Sequence, residues 1–190
     1  MKYVDRSLKG TFGYIKKQLT FEIIKTVILY AMALGIFFIG YLTLHTKKSL
    51  WSIFAVLALL PACKALVGVI MLARFKSLKP EEYELLSGAS GSLPVLYENI
   101  LTTTDKTYYV PAVCYAAGTL TGYALYDTEG IRHIKEHLDD VMKKGGHNVT
   151  VKIFPDRDGY LERIEQLKGK YGDEAVRADS VFETLKAVSL

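Results

Sequence analysis

Only two cysteines, Cys63 and Cys114, occur in 190 residues. No Cys/His spacing accompanies them, which excludes a disulfide framework and a zinc finger. The sequence has no Walker A pattern and no dinucleotide-binding glycine motif. Its one Gly/Ser-rich stretch, SGASGS at 87–92, has no lysine where a phosphate loop needs one. Acids are nearly missing from the first 80 residues, which hold 12 Lys/Arg against Asp5 and Glu22, a net +10. The remaining 110 residues hold 12 bases and 18 acids, a net −6. An overall charge of +4 therefore averages a basic part and an acidic part. The acidic part lacks the basic surface that nucleic-acid phosphates require, so no nucleic-acid partner is expected. Half the residues are apolar, enough to build a core and to exclude disorder.

Charge is also missing from 26–46, where no Lys, Arg, Asp or Glu interrupts TVILYAMALGIFFIGYLTLHT. These 21 residues would form a helix about 31 Å long, the thickness of a bilayer core. A second run, 49–73, carries a single charge, Lys64. Both are far too long for barrel strands, so each is read as a transmembrane helix. No cleavage motif follows the first run, and too little chain remains to bury both helices in a soluble protein. Lys47 and Lys48 form the short external loop. Nine Lys/Arg flank the outer ends: Lys2, Arg6, Lys9, Lys16, Lys17, Lys25, Arg74, Lys76 and Lys79. That bias predicts an integral membrane protein with both termini in the cytoplasm. Tyr30, Tyr41 and Trp51 sit where interfacial anchors often do.

Within 1–25, Val4, Leu8, Phe12, Ile15 and Leu19 recur at helical spacing among lysines. The pattern predicts a basic amphipathic helix on anionic headgroups, although Gly10 and Gly13 weaken it. Lys64 is the sharpest feature in the second span. It either snorkels toward the cytoplasmic end or contacts a carboxylate or headgroup. Pro61, one turn earlier, would free a backbone carbonyl. Ala31/Gly35 and Ala58/Ala62 offer small-residue stripes for close helix packing.

Residues 80–190 read as one cytosolic α/β domain. Pro80 opens a short helix to Leu86, and 87–92 reads as a flexible connector. Period-two patterns at 94–102, 106–117 and 119–127 predict three strands. Pro111 implies that its strand is an edge or bulged. Asp127 or Thr128 caps a helix with the stripe Ile131, Ile134, Leu138 and Val141, ended by Gly145-Gly146. A fourth strand follows at 148–154, then two more helices. The expected order is α-β-β-β-α-β-α-α, a mixed sheet covered by helices, of the α+β or α/β class.

Three patterns touch on chemistry. His133, Glu136 and His137 spell H-x-x-E-H, with two His on one helix face as zinc needs. This resembles the inverted zinc-protease motif, in which a further acid completes the site; only Glu162 or Glu165 could be nominated here. The element order over 80–154 resembles the restriction-endonuclease-like core. That resemblance implies an acid on the second strand and E-x-K on the third, holding Mg²⁺. The third strand has no E-x-K, and Asp105 at a turn is the nearest candidate for the first acid. A catalytically inactive version of that core is the expectation. Asp156-Arg157-Asp158-Gly159 resembles the start of a calcium loop, but the remaining ligand spacing fails and helix capping explains it better. The expectation is no catalytic residue, no cofactor and no metal beyond the nominations His133 and His137. Nine of 13 tyrosines follow residue 80. Tyr97, Tyr109, Tyr115 and Tyr123 are expected either to pack across strands or to form a partner surface.

These features favour a non-enzymatic adaptor or regulatory module anchored at a membrane with anionic headgroups, with a protein partner or a second copy as its target. The alternatives are a divergent hydrolase, nuclease-like or zinc-dependent, and a small subunit of a transport or export complex with Lys64 in a shared site.

Overall fold

A computed structural model of the chain describes residues 9–44, 50–103, 106–168 and 175–189. Val4, Leu8, Lys2, Arg6, Lys47, Lys48, Asp105 and the Trp51 side chain lie outside the described set. The protein is of mixed α and β structure, with six helices and a four-stranded mixed sheet among the described residues. It divides into two units. One comprises residues 15–76. The other comprises residues up to Tyr14 together with Ser77 to the end of the chain.

Helices α1 (Tyr14–Leu44) and α2 (Leu50–Ala73) supply the first unit. After Lys25, α1 has no charged residue, and α2 has a single one, Lys64, so neither apolar stretch has a polar face to turn to water. Tyr14–Leu42 and Val56–Ala73 are each long and apolar enough to cross a membrane. Their large side chains point outward: Ile28 is 60% exposed and Leu60 66%. The helices run antiparallel. The Tyr30 hydroxyl and the Cys63 thiol are 3.7 Å apart, and Glu22 reaches the space beside Gly68. From Thr26 to Ala65 the buried residues are small: Thr26, Ala33 and Gly40 on α1, Ala62 and Ala65 on α2; the large buried side chains of this unit, Ile15 and Leu72, stand at the outer ends of the two helices. The α1 set recurs every seven residues, the spacing of one helix face. Of the expected stripes, Ala62 is buried, whereas Ala31 is exposed and Gly35 and Ala58 are only half-buried. Glu22 pairs with Lys25 one turn along α1.

The amphipathic helix expected over residues 4–19 does not extend through its described part. Residues 9–13 are turns, with Gly10 at φ +84 and Gly13 at φ +76, and α1 starts only at Tyr14. Left-handed backbone at two glycines three apart breaks a right-handed helix between them.

The second unit carries α3 (Pro80–Ser90), β1 (Val95–Thr102), β2 (Thr107–Ala116), β3 (Thr119–Tyr123), α4 (Thr128–Lys144), β4 (Thr150–Phe154), α5 (Arg157–Lys168) and α6 (Ala175–Val188). Strands lie in the order β1-β2-β3-β4; the first two pairings are antiparallel and β3-β4 is parallel, reached through α4. Residues 87–90, expected in a flexible connector, are the last turn of α3. Ala117 and Gly118, at φ 56 and 65, make the two-residue turn between β2 and β3. Positive φ at both positions matches the twist of a hairpin. Helix α4 is capped by Asp127, which accepts from the Gly130 amide at 2.9 Å.

One face of the sheet packs on α4 and α6 through Leu96, Leu101, Val110, Val113, Leu120, Ile134, Leu138 and Leu185. The other packs on α3 and α5 through Ala112, Cys114, Ala116, Tyr123, Tyr160 and Ile164. Pro111 does not mark an edge, since β2 is an inner strand. Val110 and Val113 share one face although strict alternation would oppose them. Leu96 and Leu101 do the same on β1. Both strands therefore slip phase together, at Pro111 and at the opposing Glu98, which sits at φ 53. Because both slip, the register is kept: Tyr97 pairs with Ala112 and Asn99 with Val110.

Candidate functional site

Among the described residues, polar groups gather on the α3/α5 face of the sheet. Ala112, Cys114 and Ala116 are small, and the room they leave is filled by aromatic rings. Tyr83 meets Tyr97 edge-on at 5.0 Å, and Tyr123 meets Tyr160 at 5.3 Å. Their polar tips are used locally. The Tyr123 hydroxyl donates to Glu82 at 2.7 Å, and Tyr97 and Ser90 hydroxyls lie 3.4 Å apart. Desolvation raises the phenols of Tyr97, Tyr109, Tyr123 and Tyr160 above their ordinary value. The carboxylates of Glu98 and Glu82 add to it at Tyr109, and the bond to Glu82 adds to it at Tyr123. Burial pushes the Cys114 thiol up to about 12. At neutral pH this layer holds protonated phenols and a protonated thiol. They are donors and packing groups, with no thiolate or phenolate nucleophile among them.

Glu98 is the exception in β1, an acid in an otherwise neutral strand, VLYENILT. It is 2% exposed. Its carboxylate accepts the Leu78 amide at 2.9 Å and the Ser77 hydroxyl through the same oxygen. A buried carboxylate is tolerable only with such donors. Ser77 and Leu78 are the first residues of this unit after α2. The neighbouring residue, Tyr97, donates its amide to the Gly10 carbonyl at 2.8 Å. Phe12 stacks on Tyr83 at 4.3 Å. A Cβ at Gly10 would strike the Leu96 side chain, so this approach requires glycine. Further along the same strand, Leu101 bridges to Ser189. Lys9 Nζ donates to the carbonyls of Ser189 at 2.6 Å and Lys186 at 3.2 Å, which compensates the carbonyls at the end of α6. The outer side of β1 is thus covered by residues from both ends of the chain, as sheet edges generally need to be. The sequence signals for this arrangement are the lone Glu98 opposite Pro111 and the two glycines before α1. Neither names its partner.

The four nominated tyrosines do not form one surface. Tyr115 and Tyr123 are 3% and 0% exposed, so both are core residues. Tyr115 lies on the α4/α6 face, while Tyr97, Tyr109 and Tyr123 lie on the other. Tyr97 and Tyr109 are half-buried. The ring contacts of Tyr97 and Tyr123 run from strand to helix, to Tyr83 of α3 and to Tyr160 of α5.

His133 and His137 sit one turn apart on α4. His133 Nδ1 is 3.3 Å from the Tyr108 hydroxyl, and the His137 Nε2 is buried without a hydrogen-bond partner. Glu162 and Glu165 are on α5, across the sheet from α4, so they cannot complete a site with these histidines. Among the described residues no three His, Cys, Asp or Glu side chains gather to hold a metal. Strands β2 and β3 carry no Asp, Glu or Lys. The residues that would hold Mg²⁺ in the restriction-endonuclease-like core are therefore missing from their strands. Asp156 caps α5, accepting from the Gly159 amide at 2.7 Å, and is not part of a calcium loop. Lys64 projects from the exposed side of α2, with no hydrogen bond or ion pair to another described residue. Helix α2 continues through Pro61, whose ring deprives the Leu57 carbonyl of its usual amide. Comparison with models of protein families, with curated proteins and with solved structures finds no match to the chain.

Proposed function

We propose that the protein is anchored in a membrane by the α1/α2 hairpin, with both termini cytoplasmic. Its α/β domain acts without catalysis, as an adaptor or regulatory module at the membrane face. One observation carries this reading. Two helices with outward-facing apolar side chains have both their ends in the same folded domain, since residues up to Tyr14 and from Ser77 onward belong to one unit. A hairpin crossing twice returns its ends to one side, and the nine-to-two lysine and arginine bias favours the cytoplasm for that side. Lys16, Lys17, Arg74 and Lys76 flank the helix ends and suit anionic headgroups. The adaptor reading draws on how the described groups around the α3/α5 face are engaged: phenols protonated, the Cys114 thiol protonated, and the Glu98 carboxylate bonded to backbone and serine.

Impermeant maleimide labelling of intact cells tests the anchor. With Cys63 and Cys114 replaced by alanine, a cysteine replacing Lys48 should label from outside. One replacing the exposed Ser92 should label only after permeabilisation. Labelling of both or neither from outside overturns the topology. Crosslinking in native membranes tests the role: a near-stoichiometric protein partner or a dimer is expected, and an uncrosslinked monomer overturns the adaptor reading. A second reading, as a subunit of a transport or export complex, draws on Lys64, an exposed cation in the second apolar helix. Lys64→Met should then abolish transport without loss of protein, and retained transport removes this reading.

A further inference from the structure

The geometry points to Tyr97-Glu98 of β1 as a two-way latch that couples the lead into α1 to the lead out of α2. This inference concerns the domain's own contacts and stands whether or not the hairpin enters a bilayer. The two chain passages between the units are held by adjacent residues of one strand. Tyr97 holds the incoming lead, through its amide to Gly10. Glu98 holds the outgoing lead, through its carboxylate to Ser77 and to the Leu78 amide.

Adjacency alone would make two separate contacts. What joins them is the Glu98 backbone at φ 53. A non-glycine residue in this region carries a conformational cost. The two hydrogen bonds on its side chain offset that cost. The same left-handed residue causes the phase slip in β1, which puts Leu96 and Leu101 on one face and Tyr97 on the other. Tyr97 then meets Tyr83, and Tyr83 stacks on Phe12 of the incoming lead. Tyr83 lies on α3, which begins two residues after Leu78. The path Ser77/Leu78, Glu98, Tyr97, Tyr83, Phe12 is continuous, and Glu98 is its strained point, held left-handed by the outgoing lead. Release of one lead removes what holds Glu98, loosens β1 around it, and so loosens the grip of Tyr97 on the other lead. A displacement of either lead is therefore transmitted to its counterpart and to the strand between them.

Coupling of this kind is reciprocal, and that is what separates it from two independent anchors. The test is backbone hydrogen exchange on the full chain in detergent, read by mass spectrometry. Ser77→Ala removes one donor from Glu98 and should speed exchange in residues 9–13 about tenfold, as well as in 76–79. Gly10→Ala pushes the incoming lead off Leu96 and should speed exchange in 76–79 by a similar factor. Protection in α4 serves as the internal control and should not change. If Gly10→Ala loosens the whole sheet, Phe12→Ala, which removes only the ring stack, takes its place. Acceleration of the opposite lead in both variants supports the latch. Acceleration confined to the mutated lead, or none, overturns it.

Discussion

Leucine and isoleucine are placed oppositely in the two units. In the domain, Ile134 and Leu138 are fully buried on α4 while Arg132, Lys135 and Glu136 face water. In the hairpin, Ile28, Leu60 and their neighbours are exposed; the buried positions between Thr26 and Ala65 belong to Thr26, Ala33, Gly40, Ala62 and Ala65, and only at the outer ends are large side chains, Ile15 and Leu72, buried. Helix α4 is a one-sided helix for a one-sided environment. Beyond Lys25, helix α1 has no charged residue and α2 has one, Lys64, and in these stretches small residues sit at the buried positions from Thr26 to Ala65, as expected where lipid replaces water as the surroundings. Burial of large apolar groups should therefore stabilise the domain and do little within the hairpin.

The strongest way to break that contrast is a matched pair of truncations. Leu138→Ala opens a cavity in a closed core and should cost about 3 kcal/mol. Leu60→Ala removes a side chain that touches little protein and should change stability by less than about 0.5 kcal/mol. Urea unfolding of the detergent-solubilised chain, followed by proteolysis with fragments of both units identified, measures both. Equal losses would mean that Leu60 is buried against protein, and the contrast between the units would fail.

Gly122→Ala comes next. A Cβ at this β3 position would lie 3.2 Å from the Ala112 carbonyl oxygen, 3.2 Å from Ile153 Cδ1 and 3.3 Å from Val113 Cγ2. The carbonyl is part of the β2-β3 ladder and cannot move away cheaply. Overpacking here should cost about 2 kcal/mol in the same assay. Gly35→Ala in the hairpin meets nothing within 4 Å and should be close to neutral for packing.

A smaller effect belongs to the start of α4. Asp127→Ala removes the acceptor for the Gly130 amide and should cost about 1 kcal/mol, with Asp127→Asn recovering most of it. The sequence offers Asp127 or Thr128 as the cap, and the structure selects Asp127. Helix α4 was legible because its stripe, its cap and its terminal glycines all lie within twenty residues of one another. The strands were legible for the same reason: 94–102 was expected where Val95–Thr102 is found, and 148–154 where Thr150–Phe154 is found. What could not be read are relations across long separations. Pro111 signalled an irregularity, but its resolution is shared with Glu98 on another strand, so an inner strand was mistaken for an edge or a simple bulge. Lys9 meets Ser189 across 180 residues, and nothing in either segment announces it. The run 4–19 had helical spacing, yet Gly10 and Gly13 adopt positive φ, and tertiary contacts to β1 outweigh the periodicity. Spacing also brought His133 and His137 together but could not say that Glu162 and Glu165 lie across the sheet.

The smallest expected effect concerns His137 and sets the domain's aqueous surroundings against the hairpin's. Burial lowers the His137 pKa below its usual 6.5; Asp140 opposes the shift and Lys144 adds to it. Its buried Nε2 has no hydrogen-bond partner, so no acceptor awaits a second proton there. The folded state therefore binds a proton at this site less readily than the unfolded chain does. Stability from this residue is complete above the usual histidine value and declines as the pH falls through that value toward the lower folded pKa. His137→Leu removes the group while keeping an apolar side chain on α4. Between pH 7.5 and pH 5.5 the urea midpoint of the domain should fall further for the native chain than for the variant. Histidines other than His137 are common to both chains, so their contributions cancel in the difference. His45, which follows α1 in the sequence, is among these shared residues. Parallel declines for the two chains would show that His137 accepts a proton when folded as readily as when unfolded, and that its side of α4 is wetter than the structure indicates.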